Sequence, residues 1–196
     1  MIKFNTIKTA APIFIIAGAV IFIFNFKFLS ELLEFNRIFF PNEWWRLITA
    51  HYTHWNVEHL IYDTGMFILF GFLTLKINEK IFYIILFLVP LFASLIILIF
   101  KPYMMCYRGI SGIDTALFTF TVLFFALKSL KNNEYKTFLF CFLAISALTL
   151  KTFYESLTGS AFFVSSGFTL EPFTHLTGIV VGCICIKFNS KQILSK

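Results

Sequence analysis

The stretch ISGIDTALFTFTVLFFALK, residues 110–128, establishes the fold class of this chain. Apart from Asp114, it carries no charged residue until Lys128 ends it. A helix needs roughly 20 mostly apolar residues to cross the hydrocarbon core of a bilayer. The stretch therefore predicts a membrane-spanning helix. It also places Ser111 near one end of that helix, and polar groups at such depths are costly and usually functional.

The composition of the whole chain agrees with this interpretation. Of its 196 residues, 59% are hydrophobic and only 13% are charged, which is typical of an integral membrane protein in a lipid bilayer. The formal net charge is +6, a value that can indicate a nucleic-acid partner. Here the basic residues are dispersed singly and in pairs between apolar runs, so we interpret them as determinants of membrane topology and expect no nucleic-acid partner.

Six apolar segments approach the length of a membrane span. They lie at about 10–29, 56–75, 81–100, 110–128, 136–154 and 172–188. No internal repeat or low-complexity tract interrupts them. We therefore predict an all-α membrane protein in which residues 1–196 form a single domain, a bundle of six transmembrane helices.

The distribution of charge predicts how this bundle is oriented. Lysines cluster near both termini, between spans two and three, and between spans four and five. By the positive-inside rule, the N and C termini then face the cytoplasm. The opposite, extracytoplasmic loops cover about 30–55, 101–109 and 155–171 and contain Glu31, Glu34, Glu43, Glu155 and Glu171. Lysines flank the first span in place of a targeting presequence, so we expect a bacterial inner membrane.

A candidate nucleophile and a candidate base lie at the outer ends of two spans. Ser111 opens span four between Gly109 and Gly112, which remove side-chain bulk around it. His175 opens span six at the same expected depth. A lone serine in a membrane helix more often bonds a carbonyl one turn back. Together with a histidine at the same depth, it suggests a Ser-His pair in which His175 acts as general base.

The glycines of span six indicate how the two residues meet. Gly178 and Gly182 are spaced one turn apart on roughly the face that carries His175. Small residues at this spacing allow two membrane helices to approach closely. We therefore expect span six to pack on span four through this face. Ordinary helix packing beside an interfacial histidine is the simpler alternative.

Three of the four histidines fall close together, as His51, His54 and His59, and Asp63 lies one helical turn after the last of them. One interpretation is a metal site built from these four residues. No HExxH occurs, however, and the spacing matches no structural zinc signature. We favour a role in stabilising an oxyanion, and we expect no metal and no cofactor.

Taken in order, these motifs resemble those of the rhomboid intramembrane serine proteases, reduced to a six-helix core. The resemblance is carried by Trp45-Arg46-Leu47-Ile48-Thr49, His54-Trp55-Asn56-Val57-Glu58-His59-Leu60-Ile61-Tyr62-Asp63, Gly109-Ile110-Ser111-Gly112 and His175-Leu176-Thr177-Gly178 with Gly182. It implies single-span membrane proteins as substrates and a Ser111/His175 dyad without an acid member. It also implies an oxyanion hole made by the Ser111 N–H, His59 and the residue at 63, with His54 in support.

The chain departs from the family pattern at two positions. Asp63 stands where the family usually has asparagine, and only a carboxyl protonated through burial would donate to an oxyanion. Thr115 replaces an aromatic residue that supports the histidine ring. The small size and Asp63 resemble the rhombosortase branch. That resemblance implies substrates with a glycine-rich C-terminal motif, a transmembrane helix and a basic tail.

Several other interpretations remain open at this stage. Asp114 is expected to make a structural hydrogen bond, Lys151 to extend toward the membrane interface, and the loop at Ser165-Ser166-Gly167 to serve either as a lid or as a passive linker. The alternatives to a protease are an inactive rhomboid-like protein that binds transmembrane segments, a metal-dependent membrane hydrolase and, less favoured, a transporter. The oligomeric state is not predicted.

Overall fold

The chain is described by a computed structural model over residues 5–159 and 171–194, and these residues are almost entirely helical. The helices are α1 (Asn5–Asn25), α2 (Lys27–Leu33), α3 (Arg46–Thr49), a 3₁₀ turn (Ala50–Tyr52), α4 (Val57–Ile77), α5 (Glu79–Phe100), α6 (Ser111–Lys131), α7 (Tyr135–Thr158) and α8 (Pro172–Leu194). Two short antiparallel strands, β1 (Phe35–Asn36) and β2 (Cys106–Tyr107), pair between the long helices.

Five of the described helices, α4 to α8, are long and apolar enough to cross a membrane. A sixth span results if α1 and α2 are taken together as one bent span. The fold is therefore that of an all-α integral membrane protein with five or six candidate spans. The predicted spans two to six match these helices with ends displaced by a few residues.

The first predicted span, 10–29, does not form one straight helix. The chain bends by 111° between α1 and α2, and Phe26 at the break has an extended backbone. Two polar side chains bond carbonyl groups near the end of α1: the Asn25 amide donates to Ile21 O at 2.8 Å, and the Ser30 hydroxyl donates to Ile23 O at 3.0 Å. The Ile23 carbonyl oxygen also accepts from the Phe26 backbone N–H at 3.2 Å, so side-chain and backbone donors meet at this helix end.

Helix α6 lies at the centre of the bundle. It packs most extensively against α8 and also contacts α7, α4 and α5. Its inward side chains, including Ile113, Leu117 and Phe120, join Phe67 and Phe82 in the main apolar core. Many of the remaining aromatic side chains are exposed, as expected for residues that face lipid.

Arginine side chains hold the long loop between α2 and α4 in place. Arg37 donates to carbonyl groups at and just after the end of α5, with bonds of 2.9 to 3.4 Å to Leu98, Ile97, Lys101 and Met104. Arg46 donates to the carbonyl oxygens of Glu31 and Glu34 at 2.7 and 2.9 Å. Cations suit these helix ends because helix C-termini carry partial negative charge. The loop is therefore a folded element that anchors β1 against β2, just ahead of Ser111.

Candidate active site

Ser111 and His175 lie in contact at one end of the bundle. Ser111 is the first residue of α6, and His175 lies in the first turn of α8. The Nε2 atom of His175 is 3.2 Å from the Oγ atom of Ser111. The imidazole is buried, and Ser111 is partly exposed. The geometry is that of a serine hydroxyl next to a base able to accept its proton.

The close approach of α8 to α6 depends on glycine. A Cβ atom added at Gly178 would collide with the Gly112 carbonyl oxygen and lie 2.8 Å from Thr115 Cβ. One added at Gly182 would lie 2.9 Å from the Ala116 carbonyl oxygen. The two backbones therefore touch along this seam, as small residues permit in membrane proteins. This contact brings the start of α8 over the start of α6.

Thr115 has no aromatic ring that could support the imidazole. Its hydroxyl donates to the Ser111 carbonyl oxygen at 2.8 Å, and its Cβ lies against Gly178. A larger side chain at this position would press on the α6–α8 seam. The imidazole is therefore supported from another side.

At the C-terminal end of α7, Glu155 contacts the histidine. The Oε2 atom of Glu155 is 3.5 Å from His175 Nδ1, and its side chain is only 1% exposed. The Lys151 ammonium, one turn earlier, donates to the same carboxylate at 2.8 Å. The interpretation of Glu155 as a loop residue was wrong, because α7 continues to Thr158. The i, i+4 spacing of a lysine and a glutamate within an apolar segment was the available signal.

The three polar residues predicted to assist the dyad form one buried cluster. Asp63 Oδ2 lies 3.1 Å from His59 Nε2 and 3.3 Å from His54 Nε2. The two imidazole rings are 5.0 Å apart, nearly edge to face. Asn56 caps α4 by accepting from the His59 N–H at 2.8 Å, which fixes the start of the helix that carries His59 and Asp63.

His51 lies outside this cluster. Its Nε2 atom is 3.0 Å from Ser94 Oγ, and its ring packs against Tyr107. Burial lowers the pKa of the His51 imidazole from 6.5 to about 3, so the ring is neutral. Burial also lowers the pKa of His54, with a partial offset from Asp63. A four-residue metal site that includes His51 is thus not formed.

A metal site built from three residues is compatible with the geometry. One donor atom from each of His54, His59 and Asp63 lies within 4.8 Å of the other two. Two imidazoles and a carboxylate are a donor set that zinc accepts. The same contacts also satisfy an imidazole–carboxylate–imidazole cluster without a metal, so the geometry alone permits both.

Gly109 makes room for this cluster beside the serine. Its backbone φ of +137° is rarely adopted by residues that carry a side chain. A Cβ added here would lie 3.0 Å from the His59 ring. The Gly109 carbonyl oxygen accepts from the Tyr107 hydroxyl at 2.9 Å. Glycine is therefore required here for both backbone conformation and space.

Two further expectations have different outcomes. Asp114 is buried, but neither of its carboxylate oxygens has a hydrogen-bond partner within the described parts of the chain. The expected structural hydrogen bond is therefore not found there. The loop at Ser165-Ser166-Gly167 lies outside the described residues, so its predicted role as a lid or a linker stays a prediction.

Comparison with known families supports the resemblance seen in the motifs. The sequence matches the Rhomboid domain over residues 41–192, which includes α3 to α7 and most of α8. A search of curated proteins gave no match. Rhomboid proteins are generally intramembrane serine proteases that act on membrane proteins within the bilayer, although some are inactive. Because the match covers most of the chain, this protein belongs to the rhomboid family.

Proposed function

We propose that the protein is an active intramembrane serine protease with Ser111 as nucleophile and His175 as general base. The observation that carries the proposal is the 3.2 Å contact between Ser111 Oγ and His175 Nε2. A nucleophile and its base need this hydrogen-bonding distance for proton transfer. The contact lies at the end of the α6–α8 seam, where the backbones of the two helices touch.

The reaction follows the order of acyl transfer. His175 Nε2 takes the proton of Ser111 as Oγ forms a bond to the scissile carbonyl carbon. The imidazolium then gives that proton to the leaving amine nitrogen as the C–N bond breaks. Water then attacks the acyl-enzyme carbonyl carbon and gives a proton to the same imidazole. As the ester C–O bond breaks, the imidazolium returns that proton to Ser111 Oγ, and the new carboxyl terminus leaves.

The negative charge on the carbonyl oxygen needs donors near Ser111. The backbone N–H of Ser111 is among the first four of α6, which have no partner within the helix, and the helix N-terminus is positively polarised. The His59 ring lies against Gly109, two residues before the serine, and is the second donor in this proposal. In this proposal Asp63 holds His59 in place through its 3.1 Å contact. Asp63→Asn should therefore retain more activity than Asp63→Ala, as measured by cleavage of a membrane-anchored reporter.

We further propose that the active site faces the extracytoplasmic side of a bacterial inner membrane and that substrates are single-span proteins. The lysine distribution supports this orientation by the positive-inside rule. The aspartate at position 63 favours rhombosortase-like substrates, which end in a glycine-rich motif, a transmembrane helix and a basic tail.

The test is cleavage in proteoliposomes of a reporter built from these three parts, beside a reporter whose glycines are replaced by leucine. We expect wild type to cleave the first reporter and neither Ser111→Ala nor His175→Ala to do so. Equal cleavage of both reporters would reject the glycine-rich specificity but keep the protease. Stable binding of the first reporter without cleavage would instead indicate an inactive rhomboid-like protein that binds transmembrane segments.

A metal-dependent hydrolase is a second candidate, and the mutual proximity of His54, His59 and Asp63 favours it. The two functions respond differently to a chelator. If reporter cleavage survives EDTA and is lost in Ser111→Ala, the serine mechanism holds. If EDTA abolishes cleavage that Ser111→Ala retains, the metal mechanism replaces it.

A further inference from the structure

We propose that Glu155 is a positioning residue for His175, so that the base is supported by a third, acidic member. This inference rests on the proposed protease function. Its carboxylate faces Nδ1 of the imidazole, on the side opposite to the Ser111 contact. It would hold the ring in the form whose Nε2 accepts the serine proton.

The contacts form a continuous line across three helices. Lys151 Nζ lies 2.8 Å from the Glu155 carboxylate, Glu155 Oε2 lies 3.5 Å from His175 Nδ1, and His175 Nε2 lies 3.2 Å from Ser111 Oγ. Nδ1 has no hydrogen-bond partner within residues 5–159 and 171–194. Catalytic hydrogen bonds are often long in unliganded enzymes and shorten when substrate binds. The Glu155 carboxylate is the acceptor placed to make that bond.

The burial of Glu155 indicates that its place beside His175 has a function. Its side chain is 1% exposed, at the end of a helix whose apolar stretch is otherwise mostly exposed. A carboxylate at membrane depth is costly unless it is paired, and such residues are usually functional. Lys151, partly exposed on the preceding turn, supplies the compensating charge. The pair as a whole is neutral, and its carboxylate is the member that lies 3.5 Å from the imidazole.

The chemistry of imidazole explains what this group does. A neutral ring carries one N–H, so Nε2 is free to accept the Ser111 proton only when the hydrogen is on Nδ1. A carboxylate acceptor at Nδ1 selects that form. When Nε2 takes the serine proton the ring becomes positively charged, and the Glu155 carboxylate keeps accepting the hydrogen bond from Nδ1–H. No proton moves to Glu155, and the proton on Nε2 passes to the leaving amine as before.

A structural role for the Lys151–Glu155 pair is the competing explanation, and labelling kinetics separate the two. Detergent-purified protein is treated with a fluorophosphonate, and the maximal labelling rate constant (kinact), the half-saturating probe concentration (KI) and the final extent of labelling are measured. A loss of folded protein lowers the final extent. A poorly held base lowers kinact and leaves KI unchanged.

We expect Glu155→Gln to lower kinact by about 10- to 100-fold, less than the roughly 10⁴-fold loss known for a fully hydrogen-bonded triad acid. Glu155→Asp keeps the charge and should restore part of the rate. The matched control is Glu43→Gln, which removes the carboxylate of another glutamate paired with a basic residue, Arg46, in the loop between α2 and α4. It should change thermal stability without changing kinact.

The outcomes are distinct for the two proposals. If wild type and Ser111→Ala both fail to label, the protease proposal falls and the role of Glu155 falls with it. If wild type labels, Ser111→Ala does not, and Glu155→Gln labels at the wild-type rate, the protease proposal stands and the role of Glu155 is overturned. Should Glu155→Gln fail to fold, Glu155→Asp decides, because a wild-type final extent with a lowered kinact is expected only of a positioning residue.

Discussion

Helix α6 meets α8 and α7 in two very different ways. Along α8 the backbones touch, and added methyl groups at Gly178 and Gly182 would overlap α6 atoms. Along α7 the contact is made by side chains such as Cys141 against Val122 and Ala126. In their apolar stretches, 67% of the residues of α6 are buried but only 11% of those of α7. The α6–α8 contact leaves little room for either helix to shift. The α6–α7 contact joins α6 to a helix at the edge of the bundle.

The difference shows how a membrane protein fixes the relative position of two reactive groups. Lipid chains are as apolar as the helix surfaces, so apolar contact alone gives helices little reason to associate. Backbone-to-backbone packing supplies dispersion contacts that a lipid chain cannot replace. The serine and its base lie at the end of that tight seam. The peripheral helix α7 contributes at its C-terminal end, where the Lys151–Glu155 ion pair lies against His175.

The largest expected effect is a difference in stability between alanine variants of two phenylalanines, one on α6 and one on α7. Phe120 on α6 is fully buried, whereas Phe140 on α7 is 73% exposed. Phe120→Ala should lower the free energy of unfolding by about 3–5 kcal/mol through lost contacts and a cavity. Phe140→Ala should change it by less than about 0.5 kcal/mol. Thermal unfolding in one detergent measures both. Equal losses would contradict the assignment of α6 as the centre and α7 as the edge.

The next effect concerns the α6–α8 seam itself. Gly178→Ala places a methyl group against the Gly112 carbonyl oxygen and should destabilise the protein by about 1–3 kcal/mol. It should also slow fluorophosphonate labelling, because α8 must shift away from Ser111. Gly65→Ala on α4 is the matched control, since nothing lies within 4 Å of its added Cβ. That control should be neutral or stabilising by up to about 1 kcal/mol through helix propensity. If Gly178→Ala behaved like the control, close packing would not position the pair.

The smallest expected effect is a difference in cleavage rate between alanine variants of two glycines, both of which have a positive φ. Gly109, beside Ser111, has φ +137°, and Gly159, which ends α7, has φ +66°. Alanine at either position should cost about 1–3 kcal/mol in backbone strain. Only Gly109→Ala presses on the His59 ring, so only it should also lower the reporter cleavage rate of the folded fraction, by about tenfold, or 1.4 kcal/mol. A similar drop in Gly159→Ala would show that strain alone is responsible.

Much of the fold follows from apolar run length. Five predicted spans correspond to α4 to α8, because a bilayer imposes a minimum length that composition makes visible. The break at Phe26 was not predictable in the same way. The residues around it are as apolar as a continuous span, and the bonds from Asn25 and Ser30 that accompany the turn depend on structure, not on composition.

The candidate site is predictable in part from spacing. Ser111, His175 and the glycines of α8 were singled out because polar and small residues are conspicuous in apolar segments. Their roles as nucleophile, base and packing residues remain predictions. Glu155 was missed because the predicted fifth span ended one residue before it, although its i, i+4 spacing from Lys151 indicated that the helix continues. The separation of His51 from the His54 cluster required knowledge of the 3₁₀ turn, which directs it toward Ser94.

The measurement that tests the central claim most directly is fluorophosphonate labelling followed by peptide mapping. Wild type, Ser111→Ala and His175→Ala are compared at equal amounts of folded protein. The account predicts an adduct on Ser111 alone in wild type, no adduct in Ser111→Ala, and a labelling rate at least about 100-fold lower in His175→Ala. Folded wild type without an adduct, or His175→Ala that labels at the wild-type rate, would contradict it.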